Sequence, residues 1–412
     1  MDHERESSDE NEQSGPEPCA LLGLWPEPEC PNEEEVRSAL EAAYSGIKEA
    51  HELEATPDSP WCKAFAVPGM DAPVMVWIEE RGDLSNEFID SWIDDQRERA
   101  PAQQCRWLLG VETILDGKQP TQSYQQLLRL LVTACVPGLP AVYDDGALCM
   151  HSGKRVRDIA SATVPPRSSA LYAIHTLPGR GGNWIHTHGL VRAGVPELEL
   201  LCVPADDQAE ATDLLDAAAD ALLGGTEPSE QGLLQLGDDL SVRIMGATEA
   251  LPLLPKDCSG GVDDRGEHAL NSWVLLDANA DTTPRAAISR MGEDVVLYKS
   301  SKETQRQREF SQHRFGVFGQ LFTMKRNEGW LFRVKLAFER ASAPEFCEYL
   351  WFEALELKPG RVRGKLLSAP RDVPSLETGT EYWQPLERLT DWIIVAPEGQ
   401  YDPETSASLL ED

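Results

Sequence analysis

Residues 184–200 read WIHTHGLVRAGVPELEL. His186 and His188 stand two residues apart, and beyond a turn containing Gly and Pro so do Glu197 and Glu199. Side chains in a β-strand alternate faces with a period of two, so each pair projects from one face of its strand. His175 lies in the preceding strand-like run SSALYAIHTL, in parity with Leu171 and Ala173. Antiparallel pairing of the two runs would bring three imidazoles within metal-ligand reach. Neutral imidazole is the commonest metal ligand. Glu197 or Glu199 would add a carboxylate, giving an N/O set suited to zinc or iron and to metal-dependent hydrolysis. The competing reading is a polar hairpin, with His186 bonded to a backbone carbonyl and the glutamates solvated or paired with Arg192. One geometric point separates the two: whether His175 sits across from the histidine pair.

Other motifs carry less. Gly179-Arg180-Gly181-Gly182 is a glycine-rich loop, but a strand follows it where a phosphate cradle needs a helix N-terminus, so it reads as a hairpin turn. Ser152-Gly153-Lys154 lacks the spacing of a phosphate loop and reads as a plain turn. No G-x-S-x-G is present, so an α/β-hydrolase has no support. Cys258 in DCSGG is joined to no histidine by a motif and reads as an exposed loop thiol.

The elements that must position these residues alternate between helix and strand. Asn32 ahead of three glutamates marks a helix start, continued by Val36, Leu40, Tyr44 and Ile47. Strand-like runs at 62–67 and 73–78, a helix over 84–98, a strand over 106–115 and an apolar helix over 121–135 follow. After a turn at Asp144-Asp145-Gly146, three strands around 168–177, 183–188 and 196–203 precede an Ala/Leu-rich helix over 207–223 and a strand near 240–245. Residues 250–315 carry weaker signals, with strands possible at 273–276 and 295–298, and 299–314 reads as a solvated mixed-charge segment. The last part is strand-rich: 331–338, then a hairpin of 349–357 and 361–367 around Pro359-Gly360, then 391–395. This order implies an α+β fold of two or three mixed modules, their mostly antiparallel sheets covered by helices. The divisions drawn from composition are an acidic disordered tail over 1–34, an N-terminal module over 35–160, a central module over 161–250, a linker region over 251–314, a C-terminal module over 315–397 and an acidic tail over 398–412. Leu21–Trp25 is an apolar island within the first tail, read as docking on the body or beginning the first strand.

The chain has 412 residues, a hydrophobic fraction of 41% that suits folded domains, and a formal net charge of −33 that repels nucleic acid and anionic membranes. It also fits a basic protein partner reached by electrostatic steering. The nine cysteines are scattered with no C-x-x-C, as reduced thiols of a cytoplasmic protein would be. The N-terminal residues lack the apolar core of a signal peptide, and no apolar run approaches the length of a membrane span.

Two blocks resemble uncharacterised bacterial families. Lys335, Glu348-Tyr349-Leu350-Trp351, Gly364, Leu367, Pro370, Gly379 and Asp391-Trp392 resemble the YegJ-like domain of unknown function 2314, which usually has His where this chain has Tyr349. The segment LYAIHTLPGRGGNWIHTHGLVRAGVPELELL is similar to the domain-of-unknown-function 4026 family. The resemblances imply a bacterial origin and an architecture, and bring no activity. Trp351 and Trp392 read as core, Tyr382 and Trp383 as a possible binding surface, and Asp391 as a loop brace. The expectation is a cytoplasmic, non-enzymatic binding or accessory protein, an immunity-like role being one form of that reading, without cofactor. The alternative is a metal-dependent hydrolase using His175, His186 and His188 with Glu197 or Glu199.

Overall fold

A computed structural model describes residues 17–410 apart from 51–60, 83, 137, 257, 262–263, 266–270, 293–296 and 345. The chain divides into two compact units, 1–298 and 299–412. Three sheets, all antiparallel except for one parallel pair, are flanked by helices in an α+β arrangement.

The first unit holds two sheets. The seven-stranded sheet runs, edge to edge, Lys48–Glu49, Trp61–Ala66, Val74–Glu80, Trp107–Ile114, Pro18–Trp25, Ala141–Asp144 and Cys149–Ser152. Pro18–Trp25 is thus an interior strand, with every residue after Pro18 buried. The acidic surroundings of this segment suggested a loose tail, but its five apolar residues are flanked by Trp107–Ile114 on one side and Ala141–Asp144 on the other. The part of the expected tail over 1–16 lies outside the described residues. Helix Glu33–Ala43 starts where the sequence indicated, with the Asn32 side chain accepting from the Glu34 amide at 2.8 Å. Helix Pro120–Ala134 has Pro at its first turn and buries Leu127, Leu128, Leu130 and Leu131 against the sheet core.

The six-stranded sheet of the same unit runs Leu233–Gly237, Leu240–Gly246, Trp273–Asp277, Leu198–Val203, Asn183–His188 and Ala173–Leu177. The expected linker 251–314 therefore supplies Trp273–Asp277, an interior strand lying parallel to Leu198–Val203. Helix Gln208–Leu223 packs Ala211, Leu214, Leu215 and Ala218 onto this sheet. Apolar residues of both sheets belong to one continuous core, so the expected N-terminal and central modules form one body rather than two.

The second unit is a six-stranded antiparallel sheet ordered Glu381–Pro385, Arg361–Leu366, Cys347–Lys358, Leu331–Glu339, Leu389–Ala396 and Gly399–Tyr401. Strand alternation in Leu331–Glu339 sends Phe332, Val334, Leu336 and Phe338 to a core shared with Phe318, Phe322 and Trp392. The segment read as solvated, 299–314, forms helix Ser301–His313, capped by Ser300, whose side chain accepts from the Glu303 amide. The expected tail after Pro397 contributes strand Gly399–Tyr401.

Candidate functional site

The histidines do sit across from one another. Strands Ala173–Leu177 and Asn183–His188 pair antiparallel with His175 opposite His186, Ala173 opposite His188 and Leu177 opposite Trp184. The 178–182 loop is the hairpin turn that the sequence indicated. On the other side of the same strand, Glu199 stands opposite His186. Period-two alternation thus lines up His175, His186 and Glu199 across three neighbouring strands, with Trp184 and His188 flanking His186.

The imidazoles form a compact group. Ring centroids are 5.0 Å apart for His175–His188 and for His186–His188, and 6.0 Å for His175–His186. Three imidazoles bound tetrahedrally to one zinc at about 2.0–2.1 Å have centroids about 5 Å apart. Trp184 closes one side of His186 at 4.3 Å, and Trp92 stands 5.8 Å from His175. His175 Nε2 lies 3.0 Å from the Ala147 carbonyl. Donating there, it carries the proton on Nε2 and leaves Nδ1 with a free lone pair, the carbonyl-oriented tautomer common among metal ligands. His186 is 9% exposed, and among the described residues its Nδ1 is buried without a hydrogen-bond partner. The ring nitrogens are more widely spaced than the centroids suggest. The described residues whose ligand atoms all lie within 4.8 Å of one another are Asp144, Cys149 and His151.

Burial, aided by the neighbouring His188, His175 and Arg265, drives His186 down to about 3, and burial with His175 drives His188 to about 4. Both rings are neutral at pH 7. In the metal-free protein this links stability to pH. An unfolded imidazole takes its proton near pH 6.5, while these two resist it in the fold. Between those values the unfolded chain binds more protons, so stability falls as pH drops from about 6.5 towards about 4. The urea midpoint is expected to decrease over that range. A midpoint flat across it would contradict the burial of two neutral rings.

The glutamates do not join this group as ligands. Glu199, 1% exposed, accepts from Trp184 Nε1 at 2.8 Å, Ser272 Oγ at 2.6 Å, and both terminal nitrogens of Arg265 at 2.7 and 2.5 Å. Both its oxygens are engaged in a buried ion pair. Glu197 precedes the strand, because Pro196 ends the turn there and Leu198 begins the ladder. It accepts from Thr187 Oγ1 at 2.6 Å and from the Gly189 and Val191 amides at 2.7 and 3.3 Å. Its role is to hold the turn after His188. Burial pushes its carboxyl above the ordinary range, against these donors. The expected carboxylate ligand is thereby corrected: parity held for Glu199, but both side chains already have partners.

Gly189 explains the glycine of HTHG. Its φ is +111°, and a Cβ there would run into the Leu171 carbonyl oxygen. Gly189→Ala is expected to destabilise the unit by about 1–3 kcal/mol through strain in a left-handed backbone, read as a lowered thermal midpoint. An unchanged midpoint would mean that the turn rearranges freely.

The polar-hairpin reading left the glutamates either solvated or paired with Arg192; Arg192 instead reaches the other sheet. Its Nη1 and Nη2 bind Asp144 Oδ1 and Oδ2 at 2.6 and 3.0 Å, its Nε donates to the Leu171 carbonyl at 3.0 Å, and its guanidinium lies 5.0 Å from the Tyr124 ring centroid. Tyr124 Oη and the Ala147 amide also donate to Asp144. This network was invisible in the sequence because its members lie 48 residues apart in segments with no shared motif. It makes the Asp144–Cys149–His151 trio a poor cation site: a guanidinium already occupies the carboxylate, and burial pushes the Cys149 thiol up to about 12. Cys258, expected exposed, is 8% exposed and disulfide-bonded to Cys202. Ser152 caps helix Gly153–Ser161 rather than closing a plain turn.

In the second unit Trp392 is core, as expected, and Asp391 braces the sheet by accepting from Gln307 Nε2 at 2.6 Å. Trp351 differs: it lies on the opposite sheet face, half-buried, with Lys335 Nζ 5.4 Å from its ring. Trp383 is flanked by Lys358 and Arg361.

Comparison with known proteins gives kinship without activity. Residues 174–276 match the C-terminal part of a family described as a protein of unknown function (DUF4026), and residues 303–407 match one described as an uncharacterized protein conserved in bacteria (DUF2314). No curated protein and no solved structure matches. Every member of the histidine group lies inside the first matched segment. No helix among the described residues is long and apolar enough to cross a membrane.

Proposed function

We propose that this chain, which joins two bacterial domains without assigned activity, acts by binding, and that one ligand is a zinc-class metal ion held by His175, His186 and His188. The observation that carries this reading is the buried Nδ1 of His186, which lacks a hydrogen-bond partner and belongs to a ring in a three-imidazole group. Leaving a buried polar atom unsatisfied costs about 1–3 kcal/mol, and coordination would remove that cost. Two further features support it. His186 and His188 are neutral at pH 7, so no proton need be displaced from them. His175 is oriented by the Ala147 carbonyl. An all-nitrogen set favours zinc over the mixed histidine and carboxylate set that iron oxygenases use. Binding is favoured over hydrolysis because Glu197 and Glu199, the residues suited to act as base, are both committed to other donors.

Calorimetric titration of metal-free protein with zinc tests this. One equivalent is expected to bind. Heats no larger than dilution at about 0.1 mM protein, where even a weak site of Kd about 1 µM would saturate, would exclude it.

A second reading concerns partners and rests on the net charge of −33. A basic protein would associate by electrostatic steering. Capture from the native host should recover it in stoichiometric amount at low salt and lose it at high salt. A cytoplasmic setting accords with the seven cysteines that form no disulfide among the described residues.

A further inference from the structure

We infer that Cys202 and Cys258 form a redox-modification site, taking small thiols and disulfides of the glutathione class, that fastens a loop over Trp184 and thereby tunes the histidine site. The link to metal affinity rests on the zinc reading; the fastening does not.

The two cysteines are joined by a disulfide with Cα atoms 5.2 Å apart, while the other seven form no disulfide among the described residues. Cys202 sits at an irregular point of its strand, where the register with the His186 strand shifts between Leu200 and Val203. Its φ is +58°, in the left-handed region that a side-chain-bearing residue adopts at a cost. The covalent bond anchors the loop that follows Cys258 against this strand.

That loop reaches the histidines by direct contact. Gly260 lies so close to the Trp184 indole that a Cβ there would stand 2.7 Å from Cγ and Cδ2. The Gly260 carbonyl accepts from Arg265 Nε at 2.5 Å, and its amide donates to Asp264 at 2.9 Å. Arg265 forks onto Glu199 and lies 5.2 Å from the Trp184 ring centroid. Trp184 in turn packs on His186 at 4.3 Å. Among the described residues, the disulfide at Cys258 and the Arg265–Glu199 fork are two of the ties that hold Gly260 against the indole that packs on His186. Opening the disulfide removes the covalent one.

The chemistry is ordinary thiol–disulfide exchange. Cys202 and Cys258 are 9% and 8% exposed, so exchange proceeds from a local opening of the loop: a glutathione thiolate attacks Cys258 Sγ, the Cys202–Cys258 bond breaks, and Cys202 leaves as a thiolate that takes up a proton. A second glutathione thiolate attacks the glutathione sulfur of the mixed disulfide and releases Cys258 as a thiolate, which likewise takes up a proton. The protein has gained two electrons and two protons, and one glutathione disulfide has formed. Glutathione disulfide reverses the sequence.

The test compares three samples of the full chain: oxidised, reduced with the reductant removed under argon, and the Cys202→Ser/Cys258→Ser variant. Each is read by hydrogen exchange in peptides covering Gly260 and Trp184, and by zinc titration. The serine variant also removes any new thiolate ligands. Exchange at Gly260 and Trp184 is expected to speed up in the reduced and variant forms. Zinc affinity is expected to fall about tenfold or more in both, the range seen when outer-shell support of a metal ligand is lost. Faster exchange with zinc bound by none of the samples would remove the zinc reading and retain the redox clasp. Zinc bound equally by all three, with unchanged exchange, would overturn the clasp and leave the zinc reading standing. Should the variant fail to fold, the reduced wild-type protein answers both questions.

Discussion

Arg192→Ala is expected to lower the unfolding free energy of the first unit by about 3–5 kcal/mol, the range for removing one partner of a buried ion pair. Arg192 and Asp144 are 1% and 0% exposed. Without the guanidinium, Asp144 would keep Tyr124 Oη, the Ala147 amide and, at 3.8 Å, His151 Nε2 beside it, and would lose the one permanently charged group that offsets its removal from water. Burial alone would raise its pKa, but Arg192 beside it holds it well below the usual carboxylate range. Removing Arg192 shifts that balance toward the neutral carboxyl, with burial raising the Asp144 pKa and His151 left as the opposing group. The Leu171 carbonyl would lose its donor as well, and Leu171 neighbours the turn that sets His188. Urea denaturation followed by fluorescence measures the effect. A loss under about 1 kcal/mol, the value of an exposed pair, would show that the network is open to water. The pair's own pH dependence has a defined sign: its contribution is present above the unfolded carboxyl pKa of about 3.9 and is lost as pH falls below it.

His186→Phe is expected to reduce zinc affinity on the order of 100-fold, or about 2.7 kcal/mol. Phenylalanine keeps the ring against Trp184 and roughly fills the imidazole's space, while removing both nitrogens. Packing and coordination are thereby separated. An alanine at the same place would leave a cavity and confuse the two. The fold should survive, because the site loses a polar atom that has no partner in the metal-free state. The acid sensitivity of stability should also shrink, since one of the two imidazoles that resist protonation is gone. Zinc affinity equal to wild type would place the ion elsewhere.

Much of the local structure could be read directly. Alternation in Asn183–His188 and the glycine-rich turn before it gave the hairpin that places His175 opposite His186. Asn32 marks a helix start by chemistry that acts within one turn. What escaped reading was set by partners distant in the chain. Pro18–Trp25 looks like part of an acidic tail until Val111 and Val142, far along the sequence, supply its neighbours. Trp273–Asp277 is a short apolar run whose place beside Leu198 is settled by a parallel pairing across 75 residues. Cys202 and Cys258 are 56 residues apart, and spacing alone says nothing of their bond. At the site itself, parity correctly put Glu199 on the histidine face, but Arg265, which claims that carboxylate, lies 66 residues downstream. Glu197 failed for a local reason: with the ladder beginning at Leu198, it belongs to the turn.

The most direct measurement is X-ray absorption at the zinc edge of protein loaded with one equivalent. Three imidazole nitrogens at about 2.0–2.1 Å, with a light-atom fourth ligand and no sulfur, are expected. Sulfur at about 2.3 Å, or a spectrum unchanged when His186 and His188 are replaced, would contradict a site built on the three sheet histidines.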